Sequence, residues 1–571
     1  MATKSMLALI TVAAIVVASC SSANSTPTAP AAAGTTPATT VAASAAAGTA
    51  AATTVALPTG PYTWGGCDSV PPQQTLTIAM PGDDPTLDPH FSQNQISNEV
   101  NYNINDQFVR YGTKPGANGV AVFDTTNILG WSAGSWQWST DGTSLTLNVR
   151  PGQVFHGSGN PVTAADFVYF LNRAQAIHPS NVTLAGLTAA KQTSTNQLEL
   201  TFSKPFSPLF FFLFRDQQEA PLDSVVMKAN ATTDDPWSKT YAAAHDQGSG
   251  PYYVASWNRG VEMDLCANPA YQNGQPYFKR VVLKVVPSDA NRVLLLKQGS
   301  VDIAETLTLD DTAGLQNASG VQVISEPTRD QMDLGFNNQT APFNNVLVRQ
   351  ALAYATPYPS IVQSIYNGQA QLSKGPIPVG GQYFNGSTYP YTNDLTKARQ
   401  LLTQAGMANG FDFTVSIMSG DTQVANLAVL LQSSYKQIGV NMQIQQQTPA
   451  VFAQAITAHT QQAWIRDLLS YVDDPAYIGF GFYTSKGCCN WSNYQDTSVA
   501  QLVTQMLALQ NTGADQQKKQ QLTDQFQQTI NTAVPMVNLA QTNFQLAMRS
   551  DISGYVQGPD NLISYMTLTR K

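Results

Sequence analysis

The sequence predicts an α/β protein built as at least two lobes around a hinge, and three observations carry that expectation. Beyond a compositionally simple N-terminal stretch the chain still runs for about 500 residues, too many for one compact core. Helical and strand patterns alternate through residues 394–440, as they do in a layered α/β lobe. The run Val281-Val282-Leu283-Lys284-Val285-Val286 is almost continuously apolar, as a strand buried on both faces should be.

The N-terminus reads as an export leader. Lys4 is its basic region, Met6 to Ala18 its apolar core, and Val17-Ala18-Ser19-Cys20 resembles a lipobox cleaved before a cysteine that then carries lipid. Its apolar core of 13 residues is shorter than the roughly 20 that a membrane span needs. Acyl chains on Cys20 would hold the mature chain on a bilayer. Residues 21 to about 62 are almost all Ala, Thr, Ser, Pro and Gly, a composition that cannot offset its ordering entropy and predicts a disordered tether.

Charged residues make up only 12% of the chain and net charge is −8, or −9 once the leader and its one lysine are gone. No basic footprint for nucleic acid exists. Four cysteines follow Cys20: Cys67, Cys266, Cys488 and Cys489. Export makes disulfides plausible, and the complete pairings are all open, including adjacent Cys488 and Cys489 as the two partners of Cys67 and Cys266. The histidines are scattered and metal-binding spacings are missing, so no metal or other cofactor is expected.

The elements follow in order. Thr75 to Met80 alternates as a strand and enters the turn-rich loop Pro81 to Pro89. Trp136 and Trp138 alternate, Asp141-Gly142 signals a type I′ hairpin, and Leu145, Leu147 and Val149 alternate again. Thr163 with Asp166 approximates a capping box. Gly248 to Tyr252 is a turn leading through Trp257 and Asn268 to Tyr271 into the apolar strand 281–286. Leu294 to Ile303 is a helix capped by Gly299 that enters a short strand. Met332 to Asn338 is a strand, Val348 to Leu352 a helix, and Asp394 to Ala405 a helix closed by Gly406. A strand from Phe411 to Met418, a helix over Leu427 to Leu431 and a strand from Ile438 complete the alternation.

These motifs in this order resemble the extracytoplasmic solute-binding proteins of family 5, the oligopeptide and dipeptide receptors of ABC importers. The carriers are the Leu87-Asp88-Pro89 loop, the segment 136–172, Gly248-Ser249-Gly250-Pro251-Tyr252, the Val301-Asp302-Ile303 strand and Phe336-Asn337. The likeness spans about Thr75 to the C-terminus. It implies a type II periplasmic-binding-protein-like fold of the cluster C kind, with a subdomain inserted in the first lobe. The organisation expected is a leader at 1–19, lipidated Cys20 and tether at 20–73, first lobe at 74–335 with the insertion at about 100–246, second lobe at 336–540, and a return to the first lobe at 541–571. The apolar run Leu209 to Phe214 should be a buried element of the insertion.

The same resemblance implies a cleft that closes on a solute. Ala463-Trp464-Ile465-Arg466-Asp467 is similar to the segment in which a Trp precedes, by three residues, an Asp that pairs with a peptide's α-ammonium. Asp467 is thereby the expected anchor, Trp464 a cleft wall, and the backbone of Ala463, Ile465 and Arg466 a strand edge for an extended peptide. Phe91, Asn94 and Asn337 are further candidates for ligand contact. Aromatic residues from Tyr471 to Trp491 either line side-chain pockets or pack as core. Ser419 to Gln423, where a dipeptide specialist carries an arginine, has none, which points to longer peptides. The expected partners are a peptide, an ABC permease with its ATPase, and a membrane reached through the lipid; the expected state is a monomer. A non-peptide solute (oligosaccharide, haem or metal chelate) is the alternative. A hydrolase is disfavoured because no zincin helix is present and the SxxK spacing from Ser433 to Lys436 lacks SDN and KTG companions.

Overall fold

The computed structural model describes residues 65–92, 94–116, 119–177, 186–203, 220–470, 472–509 and 513–571. The leader, Cys20, most of the tether, Leu209 to Phe214 and Tyr471 lie outside the described residues.

Among the described residues an eleven-stranded sheet runs through both lobes. In the first lobe Thr75–Met80 lies parallel to Arg280–Val285 on one side and to Ile303–Ala304 on the other. The sheet then continues antiparallel through Glu262–Ala267 and Tyr252–Asn258. In the second lobe Asp412–Met418 is parallel to Asn441–Gln447 and, at two positions, to Ala463–Leu469.

Two long antiparallel strands, Val321–Phe336 and Met536–Arg549, connect the lobes. They link Ile303–Ala304 at one end to Ala463–Leu469 at the other. Their register shifts between Pro327 and Gln331 and again between Met332 and Asp333. Pro327 has no N–H to give to a ladder, and a bulge bends the strand that carries it. The strand expected at 332–338 is thus the end of a longer crossover that already begins at Val321.

The insertion is a four-stranded antiparallel sheet, Ala133–Trp138, Ser144–Val149, Gln197–Phe202 and Leu187–Ser194. The helix Ala164–Ile177 packs on it through Phe167, Phe170 and Leu171. Asp166 closes the start of this helix by reaching back to Thr163. The Asp166 carboxylate accepts from Thr163 N–H and Oγ1, both at 2.8 Å, and Asp166 N–H donates to Thr163 O at 3.1 Å. The hairpin between the first two strands differs from the type I′ turn expected: Gly142 has φ 67° while Asp141 stays at negative φ. The Asp141 carboxylate instead accepts from Ser139 Oγ and Thr143 N–H, which holds a wider loop.

The Leu87-Asp88-Pro89 loop fastens the insertion to the first lobe. Asp88 accepts from Arg173 Nη1 at 2.9 Å, and both side chains are fully buried. Cys67 and Cys266 form a disulfide with Cα atoms 5.8 Å apart. Cys488 and Cys489 are free thiols, so the adjacent pair does not partner Cys67 and Cys266.

Candidate functional site

The site is set by the strand Ala463–Leu469, whose backbone pairs with residues 330–336 of the first crossover strand. Side chains alternate across a strand, so Ala463, Ile465 and Asp467 share one face with Met332, Leu334 and Phe336. Ala463 and Ile465 belong to the second lobe's main core; Asp467, at the outer end of that face, reaches a cavity.

This cavity of about 220 Å³ lies beside the crossover strands where the lobes meet. Leu309 comes to it from the first lobe, Asp330 and Met332 from the crossover, and Tyr366, Gln423 and Asp467 from the second lobe. Asn367 Nδ2 donates to Asp310 Oδ1 at 2.8 Å, a bond from one lobe to the other near its rim. Two polar atoms at the cavity are buried without a hydrogen-bonding partner in the protein: Asp330 Oδ1 and the Tyr366 hydroxyl. Burial first, and then the Asp467 charge, push the Asp330 carboxyl up to about 7, opposed by Arg466. Asp333, three residues beyond Asp330 and opposite Arg466 in the ladder, is also held well above the usual carboxylate range by burial, although Asn538 Nδ2 donates to it at 2.8 Å. The arrangement is an acidic recess in which Asp330 and Asp467 face one another and Arg466 is the opposing charge.

The opposite face of the strand holds Trp464, Arg466 and Leu468. Trp464, expected as a cleft wall, stands on the side of the strand away from the cavity that Asp467 reaches. It is 2% exposed, packs in a separate core with Leu468, Ile478 and Phe526, and stands edge-on to Trp491. The physical reason is parity: residues three apart on a strand point to opposite sides. The Arg466 guanidinium lies 3.9 Å from the Trp491 ring centre, a cation–π arrangement.

Asn94 and Asn337 also have structural duties. Asn94 caps the helix Gln95–Ile104, accepting from Ser97 N–H at 2.9 Å. Asn337 is buried; its Nδ2 donates to His459 O at 2.8 Å and its Oδ1 accepts from Gln339 N–H at 3.2 Å. Phe91 sits on the short Pro89–Phe91 turn, 36% exposed and away from the cavity. Of the later aromatics, Phe482 and Tyr483 are buried core, while Tyr477, Phe480 and Trp491 pack partly buried against it.

Sequence reasoning missed Asp330 and Tyr366. A carboxylate in a strand otherwise reading toward Met332-Asp333-Leu334 was the available signal for the first; nothing local marks the second. It also missed a junction at Asp473. Asp473 Oδ2 accepts from Thr125 Oγ1 of the strand Ala121–Gly130 at 3.0 Å and from Arg329 Nη2 of the crossover at 2.8 Å, while Oδ1 accepts from Gln382 N–H at 2.9 Å. Among the described residues no cluster of three His, Cys, Asp or Glu is placed to hold a metal, and no helix is long and apolar enough to cross a membrane.

Two lobes sharing one sheet, two crossover strands between them and a polar recess at their junction define an extracellular solute receptor. The model of the bacterial extracellular solute-binding proteins, family 5, matches residues 127–488, and the chain belongs to that family. It is 27% identical over 493 residues to the probable D,D-dipeptide-binding periplasmic protein DdpA of Escherichia coli (strain K12), covering 86% of this chain and 92% of that one. To heme-binding protein A of Haemophilus influenzae it is 24% identical, covering 76% and 83%. The periplasmic binding protein DppA of Helicobacter pylori, solved with the peptide STSA, superimposes with a TM-score of 0.72 at 22% identity, covering 87% of this chain and 98% of that one. Its family role is to bind solute outside the cytoplasm for an ABC transporter.

Proposed function

We propose that the protein is a lipid-anchored receptor that captures oligopeptides by their free amino end and hands them to an ABC permease and its ATPase. The observation that carries this reading is the acidic recess: Asp467 beside a buried Asp330 oxygen that lacks a partner. An ammonium entering there meets two carboxylates in a water-poor site, where charge-assisted hydrogen bonds are strong. About 220 Å³ suits a peptide's terminal residue rather than its whole length.

The remaining residues of the peptide have a place to run. The strand Ala463–Leu469 pairs on its second edge with Asp412–Met418 at Ala463 and Trp464, and an extended peptide would add to the sheet alongside this strand. Such pairing is tolerant of sequence, with selectivity left to side-chain contacts. Cys20, acylated after leader cleavage, would hold a monomer on the membrane through the tether. The relative named as heme-binding favours a second reading, a non-peptide solute in the same fold.

The test is mass spectrometry of small molecules released on mild denaturation of tether-deleted protein, repeated with Asp467→Ala. Peptides of several residues present in the wild type and lost from the variant are the expected result. A tetrapyrrole, sugar or metal chelate retained by both would overturn the substrate assignment while leaving the fold untouched.

A further inference from the structure

Among the described residues the two thiols outside the Cys67–Cys266 bridge, Cys488 and Cys489, are neighbours in sequence, and the fold holds them in place. They follow the helix Pro475–Tyr483 on a loop that folds back onto it. Cys489 N–H donates to Gly481 O at 3.1 Å, and Trp491 N–H donates to Cys489 O at 2.8 Å. Gly487 makes this approach feasible, because a Cβ there would overlap the carbonyl oxygens of Phe480 and Gly481. Cys488 is exposed, whereas Cys489 is half-buried and packs against the core that contains Trp464 and Phe482.

We propose that Cys488 and Cys489 form a reversible dithiol–disulfide site that exchanges with low-molecular-weight disulfides. The neighbouring Cys489 thiol lowers the exposed Cys488 thiol to about 7, and the same neighbour, then burial, raises Cys489. The exposed Cys488 thiolate attacks one sulfur of the incoming disulfide, forming a mixed disulfide and expelling one thiolate. Cys489 then gives its proton to that leaving thiolate and attacks the Cys488 sulfur, expelling the second thiolate. The cysteines lose two electrons and the small disulfide gains them as two thiols.

Closure is readily reversed for a geometric reason. Adjacent Cα atoms across a trans peptide are about 3.8 Å apart, closer than the roughly 4.4–6.8 Å of ordinary disulfides, so the small ring is strained and more reducible. The loop also bears Trp491, on which Arg466 of the cleft strand stacks. Ring closure therefore acts on the side of the strand opposite Asp467.

The experiment treats the full mature chain with excess glutathione disulfide, alkylates remaining thiols, and measures the tryptic peptide spanning 487–518. The expected peptide is two hydrogens lighter than the reduced one, carries neither alkyl group nor glutathione, and becomes doubly alkylated after reductant. In Cys489→Ser the reaction should stop at a mixed disulfide on Cys488. In Cys488→Ser it should slow by about ten-fold or more, because the remaining thiol is half-buried and poorly ionised. Two alkyl groups on the oxidant-treated wild type, or a persistent glutathione adduct in place of the internal bond, would overturn the proposal. So would equal rates in wild type and Cys488→Ser.

Discussion

Asp330 and Asp467 come from different strands and approach the same recess from neighbouring positions: Asp467 is opposite Met332 in the ladder, two residues from Asp330. Removing either should weaken capture of a peptide amine, since a charge-assisted hydrogen bond contributes about 1.5–3 kcal/mol. For Asp467→Ala that is roughly ten- to a hundred-fold in Kd, measurable by titration calorimetry with a peptide and with its N-acetylated form. Wild type should prefer the free amine and the variant should not distinguish them. Asp330 adds a pH dependence. Its folded-state carboxyl sits at about 7, above about 3.9 in an unfolded chain, so between those values the folded state holds the extra proton. The stability contributed by Asp330 is therefore present at acid pH and lost as pH rises through about 7. Buried Asp333, Glu99 and Glu305 are raised too, so the readout is a difference. The fall in Tm of ligand-free protein from about pH 6 to about pH 8 should be smaller in Asp330→Asn than in wild type; equal slopes would refute the assignment.

At the scale of elements, much was legible because local signals and tertiary demands agree. Gly299 and Gly406 stand at helix ends with φ 72° and 76°, where L side chains are disfavoured, and Thr163 with Asp166 closes its cap as the spacing implied. What sequence could not supply was strand parity against unseen neighbours. The Trp464-to-Asp467 spacing suggested one wall, yet the strand sends the two to opposite faces. The indole finds its place because residue 335 is glycine: a Cβ at Gly335 would overlap the Trp464 ring atoms Cζ2, Cε2 and Cη2. Gly335→Ala must displace that ring within a packed core, an overpacking cost of about 1–3 kcal/mol. The expected outcome is a lower Tm with weakened ligand binding, because the same ladder positions Asp467. Thermal unfolding of Gly335→Ala beside Gly314→Ala, a site with open space around it, checks this; equal effects would count against it. The disulfide is a second element-scale case. Cys67 and Cys266 are 199 residues apart, and such a crosslink typically contributes about 2–5 kcal/mol. Cys67→Ala should therefore lower Tm while leaving the peptide Kd unchanged, since the bond lies in the first lobe's outer strands.

For the whole molecule the decisive contacts are those that exist only when parts far apart in sequence meet. Cleft composition, length and the order of motifs conveyed two lobes and an insertion, but not which residues bridge them, because a bridge leaves no local pattern. Asp473 is such a bridge: Thr125 belongs to the strand Ala121–Gly130, Arg329 to the crossover, and Gln382 to the second lobe. The Arg329 pair is largely shielded, with side-chain exposures of 19% and 7%. Breaking one side of such a pair leaves the other desolvated and unpaired. Asp473→Asn keeps the shape but removes the charge, so it should shift the ligand-free population from the bridged arrangement toward an open one. Small-angle scattering of the free protein should then give a larger radius of gyration for Asp473→Asn than for wild type. Saturating ligand should bring the two together, because contacts made by the second lobe after solute is bound replace part of what was lost. The apparent Kd should rise by the factor that the competent fraction falls, while Thr125→Ala, which removes one hydrogen bond and leaves the ion pair intact, should move both quantities less. Superimposable scattering curves for free wild type, free variant and ligand-saturated protein would refute both the bridge and the closure that it serves.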